Sequence, residues 1–232
     1  MSTTAALSHR RISLAAGIAY LLTFVSIPTL ALYNSVRGPN YVLRSGPDTA
    51  ATVGGLLEIT VGLAGIATAV ILFPILKKQN ESLALGLVAA RILESGTIFV
   101  GVAFVLSIVT LRQHGAGAEA LAPSHALVAL YDRIFLLGQS FMPAVCDLLL
   151  GFMLYRSNLV PRRLSMLGIV GAPVLVLGYL AILFGVIDQH GALAGLSALL
   201  VAVFEFSLGV WLIVKGFNPE AVVALESRAP AR

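Results

Sequence analysis

Seven charged residues lie inside long apolar stretches of the sequence, where an unpaired charge is costly. Five of them are acids and two are bases. Together with one glutamine, the candidate charge network consists of Glu58, Arg91, Glu94, Asp132, Arg133, Gln139, Asp147 and Glu205. Each charge costs at least about 2.5 kcal/mol near the centre of a bilayer, so such groups face the interior of a helix bundle and pair there. Carboxyl groups in excess over bases can take up protons or cations, which is the chemistry that this set offers.

Helix geometry predicts an inner cluster around Arg91. Arg91 and Glu94 are three residues apart and therefore share one face of a helix. We measure depth from the end of each apolar stretch that is flanked by lysines and arginines. At a rise of about 1.5 Å per residue, Arg91, Asp147 and Glu205 all lie about 12–15 Å from that end. We therefore predict that Arg91 pairs with Asp147 and Glu205, and that Glu94 lies between this cluster and an outer one.

An outer cluster is predicted nearer the opposite ends of the apolar stretches. Glu58, Asp132 and Arg133 lie there, and we expect Arg133 to pair with Glu58 or with Asp132. Gln139 and Pro143 fall on the same narrow helix arc as Asp132, at about 100° per residue. Because proline has no N–H, the carbonyl of Gln139 is left as a free acceptor on that arc.

Two interpretations of these charges remain open. In the first, the ion pairs are structural and fix the register of the helices. In the second, the three acids in excess over the bases are protonated, hydrated or bound to a cation, and the network is functional. The sequence does not decide between them.

Residues for other kinds of chemistry are not arranged in a recognisable pattern. His9, His114, His125 and His190 all lie in predicted tails or loops, or beside them, without the spacing of metal ligands. Cys146 is the single cysteine, so an intramolecular disulfide and a CxxC redox pair are excluded. We find no HExxH, GxSxG or phosphate-binding glycine loop. We expect no catalytic residue, no cofactor and no metal site.

The elements that must position the network are helices in a membrane. The chain has 232 residues, of which 58% are hydrophobic and 11% charged, with a mean hydropathy of +0.95. The apolar stretches are continuous rather than alternating, which favours helices over a barrel. We predict an all-α polytopic bundle, a single integral membrane domain over residues 1–232. Its six transmembrane helices cover about 12–33, 52–76, 83–111, 126–155, 164–187 and 192–214. The polar tail after Lys215 is expected to lack fixed structure.

The basic residues predict the orientation of the bundle. Ten lysines and arginines flank the helices on the side of the two termini, whereas Arg37, Arg44 and Arg112 lie on the other side. Positive charge near helix ends favours the cytoplasm, so we predict a multi-pass protein of the cell membrane with both termini cytoplasmic. Since the basic residues occur singly or in pairs, nucleic acid is not an expected partner.

A weak threefold repeat in the sequence indicates three helical hairpins with the same arrangement of residues. A dibasic pair precedes a glycine near the start of three helices, at residues 10–17, 77–86 and 162–168. An acid stands four residues before a glycine in each returning helix, as Glu58–Gly62, Asp147–Gly151 and Glu205–Gly209. Membrane proteins often contain such internal repeats.

Two regions of the sequence resemble a known family. They contain Leu72-Phe73-Pro74 to Lys78, Ser82-Leu83-Ala84-Leu85, Arg91-Ile92-Leu93-Glu94, Gly151-Phe152-Met153-Leu154-Tyr155-Arg156-Ser157, and Pro161-Arg162 with Leu167-Gly168. The family is catalogued as domain of unknown function 4386, and the resemblance extends from about residue 11 to about residue 215. It implies a six-helix protein of the bacterial plasma membrane and supplies no activity. Arg91 and Glu94 match its arginine–acid pair, and Glu58 matches its acidic position in the second helix.

The biochemical role is therefore unassigned at this point, with two alternatives. One is a small transporter or proton- or cation-coupled carrier, which requires a water-accessible cavity that meets the acids. The other is a structural or sensing protein that acts through partners. An enzyme has little support, since Asp132 is the only candidate acid near the depth of lipid headgroups. The lipid bilayer is the expected partner, a homodimer fits as well as a monomer, and the ligand is unidentified.

Overall fold

Seven helices account for most of the computed structural model, which describes residues 3–115 and 117–228. They are α1 (Thr3–Leu22), α2 (Thr49–Leu76), α3 (Glu81–Gln113), α4 (Leu121–Leu136 and Met142–Ser157, joined by a π-helical turn over Leu137–Phe141), α5 (Arg162–Leu183), α6 (Ala192–Val214) and α7 (Pro219–Arg228). The described residues contain no strand. Six helices, α1 to α6, are long and apolar enough to cross a membrane. The predicted all-α bundle of six such helices is confirmed.

Local signals explain where several of these helices begin and end. The side chain of Asn80 accepts a hydrogen bond from the backbone N–H of Leu83 at 2.9 Å, which caps the start of α3. Asn158 adopts the left-handed conformation at the end of α4, and Pro161 precedes the first turn of α5. The predicted bounds of α6 agree with the structure, whereas α5 ends at Leu183, earlier than expected.

The six long helices form a closed ring. Each packs against its neighbours in the chain, and α6 packs against α1. Small residues allow the closest approaches, because they let two helix backbones come together. A Cβ atom at Gly17 of α1 would lie 2.6 Å from the carbonyl oxygen of Gly209 of α6. In the same way, a Cβ atom at Gly151 of α4 would lie 3.0 Å from the carbonyl oxygen of Ser165 of α5.

The α-helical part of α1 ends well before its apolar segment does. Residues Thr23–Ser26 form a 3₁₀ turn, and the short helix Thr29–Leu32 follows Pro28. Proline lacks the N–H that would continue the hydrogen-bond ladder, so the chain changes direction there. Phe24 in the 3₁₀ turn still contacts α6, where its ring packs edge to face on that of Phe206 with centroids 5.5 Å apart.

The bundle has two ends, which carry different segments of the chain. We call one end the terminal side; it carries the start of α1, the turns at 77–80 and 158–161, and α7. The other end, the loop side, carries the segments 33–48 and 184–191. A dense apolar core fills the half of the ring near the terminal side, with Leu72, Leu76, Leu87, Leu150 and Leu212 among its buried side chains.

Residues Pro219–Arg228 of the tail after Lys215 form a helix, so the expected lack of fixed structure was wrong there. Helix α7 buries Ala221, Val222 and Leu225 against the core of the terminal side. Glu226, one turn after Val222, accepts a hydrogen bond from Lys78 Nζ at 3.0 Å and lies 3.3 Å from His9 Nε2. Apolar residues at helical spacing, supported by these ion pairs, hold the tail across the end of the bundle.

The docking of α7 should weaken in acid. The hydrogen bond from Lys78 holds the pKa of Glu226 below its ordinary value. A carboxyl whose pKa is lowered by folding adds stability above its ordinary pKa of about 4.3, and this stability is lost as the pH falls through the lowered value. This partly exposed pair contributes no more than about 1 kcal/mol. Hydrogen exchange of the α7 amides, corrected for intrinsic rates, should therefore rise between about pH 6 and pH 3.5.

Two variants control this measurement. Glu226→Gln should give fast exchange in α7 at both pH values, because the amide forms no ion pair. Glu220→Gln, at an exposed position of the same helix, should behave like the wild type. Equal protection of α7 at both pH values in the wild type would contradict the prediction.

Candidate functional site

Arg91 lies at the centre of a buried charge cluster that joins three helices. Its Nη1 atom donates to both carboxylate oxygens of Glu94 at 3.1 Å. Its Nη2 atom donates to Oε1 of Glu205 on α6 and lies 3.6 Å from Oδ1 of Asp147 on α4. The structure thus brings together Arg91, Asp147 and Glu205 as the inner cluster predicted from their depths, with Glu94 as a further member.

Neighbouring side chains fix this cluster in place. Ser95, one turn beyond Arg91, donates to the carbonyl oxygen of Gly62 at 2.8 Å and so ties α3 to α2. The thiol of Cys146 lies 3.3 Å from Oε2 of Glu94 as a donor. The ring of Tyr20 on α1 lies 5.7 Å from the guanidinium carbon of Arg91, within cation–π range.

The cluster has more carboxyl groups than one arginine can satisfy. Asp147 is fully buried, yet among the described residues neither of its carboxylate oxygens accepts a hydrogen bond. With all three acids ionised the cluster would carry an excess of two negative charges over Arg91, which a low-dielectric interior disfavours. Protons, water or a cation must compensate Asp147 and its neighbours. Within residues 3–115 and 117–228, no three His, Cys, Asp or Glu side chains are arranged to hold a metal ion.

Glu58 lies in a separate, uncharged setting nearer the loop side. The hydroxyl groups of Tyr33 and Tyr131 donate to its two carboxylate oxygens at 3.2 and 2.9 Å. The amide of Gln139 lies 3.4 Å from Oε1 as a third donor. The two tyrosine rings also pack edge to face, with centroids 5.5 Å apart. Neither tyrosine was predicted as part of the network, and the one sequence signal for them is the position of Tyr131 beside Asp132.

The predicted outer pairing of Arg133 was wrong. Asp132 instead accepts a hydrogen bond from Nη2 of Arg37 at 2.7 Å, and its carboxylate lies 3.9 Å from His190. Arg133 is exposed and has no acidic partner among the residues that the structure describes. The reason is helical rotation, because adjacent residues point about 100° apart. When Asp132 faces Arg37 inside the ring, Arg133 must point away from it.

A π-helical turn in α4 presents Gln139 to the interior. The turn spans Leu137–Phe141 and precedes Pro143. The missing N–H of Pro143 removes one α-helical hydrogen bond at this point, and the helix widens by one residue. Such single π turns occur frequently at functional sites. Here the widened turn places Gln139 between Glu58 and the central space of the ring.

A central cavity of about 220 Å³ occupies the ring between the charge cluster and the loop side. Helices α2 to α6 and the 3₁₀ turn after α1 line it, with Phe24, Val61, Glu94, Gln139, Leu175 and Glu205. Glu94, Glu205 and Arg91 bound its inner end, and the apolar core closes the bundle beyond them towards the terminal side.

A second pocket, of about 410 Å³, opens on the loop side. We call it the loop-side pocket; Tyr33, Arg37, Tyr131, Asp132 and His190 are among its lining residues. Tyr33 and Tyr131 line this pocket and donate to Glu58, whereas Gln139, the third donor, lines the central cavity. The hydrogen bonds of Glu58 therefore connect the two spaces.

Asp48 anchors the start of α2 on the loop side. Burial raises the pKa of Asp48. Hydrogen bonds from Tyr41 and Gln113 and the charge of Arg112 outweigh this effect and hold the pKa of Asp48 below its ordinary range. The guanidinium of Arg112 also stacks on the ring of Tyr41 at 4.3 Å. These contacts fix the segment 33–48, which carries Tyr33 and Arg37, against the end of α3.

Comparison with known proteins identifies a family for this chain but assigns it no activity. No curated protein and no solved structure matches the chain. A family model described as a domain of unknown function, DUF4386, matches residues 15–216. The match contains every member of the inner cluster as well as Glu58, in agreement with the resemblance seen in the sequence. The chain therefore belongs to the DUF4386 family.

Proposed function

We propose that this protein is a small membrane carrier coupled to protons or another cation, and that the central cavity is its binding site. The observation that carries the proposal is the junction of this cavity with the inner cluster. A space lined by α2 to α6 and by the 3₁₀ turn after α1 ends at Glu94 and Glu205, two acids that share a single arginine with Asp147. The transporter alternative required such a meeting of cavity and acids.

The cluster provides a physical basis for coupling. Because Arg91 is shared by Glu94, Asp147 and Glu205, adding a proton or a cation to one acid leaves Arg91 to the other two. Such a change in pairing alters the contacts among α3, α4 and α6, so the bound and free forms favour different helix arrangements. In the present arrangement the terminal side is closed by the apolar core and by α7. A carrier would also populate a form in which that side opens.

We place this carrier in the bacterial cytoplasmic membrane with both termini in the cytoplasm. The support is the count of ten lysines and arginines against three on the two sides of the spans. In that orientation the loop side is extracellular, and the central cavity would receive its ligand from outside the cell.

A structural or sensing protein is the second candidate. It is favoured by the burial of Arg91, which is 2% exposed and bonded to acids on its own helix and on α6. In that case the acids would only lock the helices, and ligand exchange through the cavity would have no part in the role of the protein.

The pH dependence of thermal stability in detergent distinguishes the two candidates. For a coupled carrier, the unfolding temperature of the wild type should change between about pH 5 and pH 8, well above the range of an isolated glutamate at about 4.3. Glu94→Gln should abolish this change, because Glu94 faces Arg91, Glu205 and Cys146 in the cluster. Glu119→Gln, at an exposed position on the loop side, should retain it. A flat profile in all three proteins would indicate sealed ion pairs and would contradict the carrier.

A further inference from the structure

We infer that the ligand of the central cavity is a small organic ammonium ion with an apolar body, either a protonated amine or a quaternary ammonium. The inference rests on the proposed carrier function and names the class of its substrate. The positive group would lie against Glu205 and Glu94, and the apolar body would occupy the remainder of the cavity.

The charges at the inner end of the cavity select for a cation. Glu94 and Glu205 line the cavity beside Arg91. Oδ1 of Asp147, which is not among the lining atoms, lies 3.6 Å from the arginine nitrogen that donates to Glu205. Asp147 is fully buried, and its carboxylate accepts no hydrogen bond from any described residue. A ligand with a positive charge would relieve this excess, whereas an anion would meet two carboxyl groups and one base in the lining, with the buried Asp147 behind them.

The remaining walls of the cavity select for an apolar body. Phe24, Val61, Ile98, Leu175 and Val201 line it away from the charge cluster. A sugar or another polyhydroxyl compound would lose its hydrogen bonds to water there without replacement. An ammonium ion with hydrocarbon substituents suits both ends, and the face of an aromatic ring such as Phe24 also attracts cations.

The volume limits the size of the ligand. At about 220 Å³, the cavity lies below the roughly 300–1,000 Å³ of pockets that hold drug-sized molecules. A single ring or a short branched chain with one ammonium group fits this limit. Large multi-ring cations do not.

The segment after α1 and the facing side of α6 form one wall of the cavity. Ile27, just beyond the 3₁₀ turn, lines the cavity and is 63% exposed. Ala198 and Ala202 of α6 line the same wall.

Binding of phenyltrimethylammonium to the full-length protein in detergent at about pH 8 tests the inference. Its charge is permanent, and tert-butylbenzene is its neutral analogue of the same shape. Isothermal titration should detect binding of the cation and at least about tenfold weaker binding of the neutral analogue. Glu205→Gln should weaken cation binding about tenfold or more. The exposed control Glu119→Gln should bind it like the wild type.

A cavity-filling variant keeps the test independent of changes in the charge cluster. Ala202→Phe should remove binding of phenyltrimethylammonium, because the new ring occupies the cavity, and should keep the pH-dependent stability of the wild type. Equal affinity for the neutral analogue would overturn the inference, as would absence of cation binding in a wild type whose stability still changes with pH. In those two cases the carrier proposal stands. A wild type with neither cation binding nor pH-dependent stability would overturn both.

Discussion

Replacing Arg91 with alanine is expected to lower the free energy of unfolding by about 3–5 kcal/mol, the range for breaking a buried ion pair from one side. The substitution leaves Glu94, Asp147 and Glu205 inside the bundle without their common partner. Since whole domains are stable by only about 5–15 kcal/mol, the yield of folded protein should fall sharply. Thermal unfolding in detergent and the monodisperse fraction on size exclusion measure the effect.

Two further variants test whether the loss of stability comes from unpaired acids rather than from removing an arginine as such. Arg133→Ala removes an arginine from the adjacent region of the bundle, but its side chain is exposed, so stability should change by less than about 0.5 kcal/mol. The triple variant Arg91→Met, Glu94→Gln, Glu205→Gln should recover part of the loss, because neutral groups replace the unpaired charges. An Arg91→Ala protein as stable as the wild type would show that the acids do not depend on the arginine.

Gly17→Leu is expected to separate the first and last long helices and to destabilise the protein by about 3 kcal/mol or more. A Cβ atom at Gly17 would lie 2.6 Å from the carbonyl oxygen of Gly209 and 2.8 Å from Cγ1 of Ile213. A backbone carbonyl in a helix cannot turn aside as a flexible side chain can, so α1 must move away from α6. The unfolding temperature in detergent, compared with that of the wild type, measures the loss.

Gly96 offers a matched control on α3. A Cβ atom there meets no atom within 4 Å, and the residue is exposed on the outside of the ring. Gly96→Leu should therefore leave stability unchanged or raise it, since glycine is a weak helix former. If both leucine variants had the same unfolding temperature, close packing of α1 on α6 would not be needed for stability.

Helical regularity explains why the inner cluster could be predicted. A fixed rise and rotation per residue turn sequence positions into depths and faces. Arg91, Asp147 and Glu205 lie at one depth on three such helices, and they meet in the structure. The lengths of the six apolar spans could be predicted for the same reason. The start of α4 at Leu121 and the end of α5 at Leu183 could not, because they depend on turns that sequence periodicity does not describe.

The parts that could not be predicted depend on irregular backbone. The partner of Asp132 is Arg37, which lies in the segment 33–48 between helices, where the path of the chain does not follow from periodicity. The π turn at Leu137–Phe141 shifts the register of α4 by one residue, a change that only its packing neighbours determine. The docking of α7 depends on three apolar residues in a short polar tail, too few to predict contact with the core.

In two of the three predicted hairpins, the acid that precedes the glycine lies at the same depth in the bundle. Asp147 and Glu205, each four residues before a glycine, both lie next to Nη2 of Arg91. The glycines that follow them, Gly151 and Gly209, pack on α5 and α1. Glu58 instead lies with two tyrosines nearer the loop side. The position of Glu58 within its apolar stretch, far from the basic end, already predicted this difference in depth.

The closure of the ring by α6 against α1 has a consequence for biosynthesis. The ribosome delivers the spans in order, so α1 enters the membrane long before the helix that covers its face at Gly17 exists. Arg91 likewise enters with α3 before Asp147 and Glu205 have been made, and at that stage Glu94, on its own helix, is its only acidic neighbour within the cluster. This internal pair lowers the charge that α3 carries into the bilayer. The central cavity can therefore acquire its full lining only after the last span has been inserted.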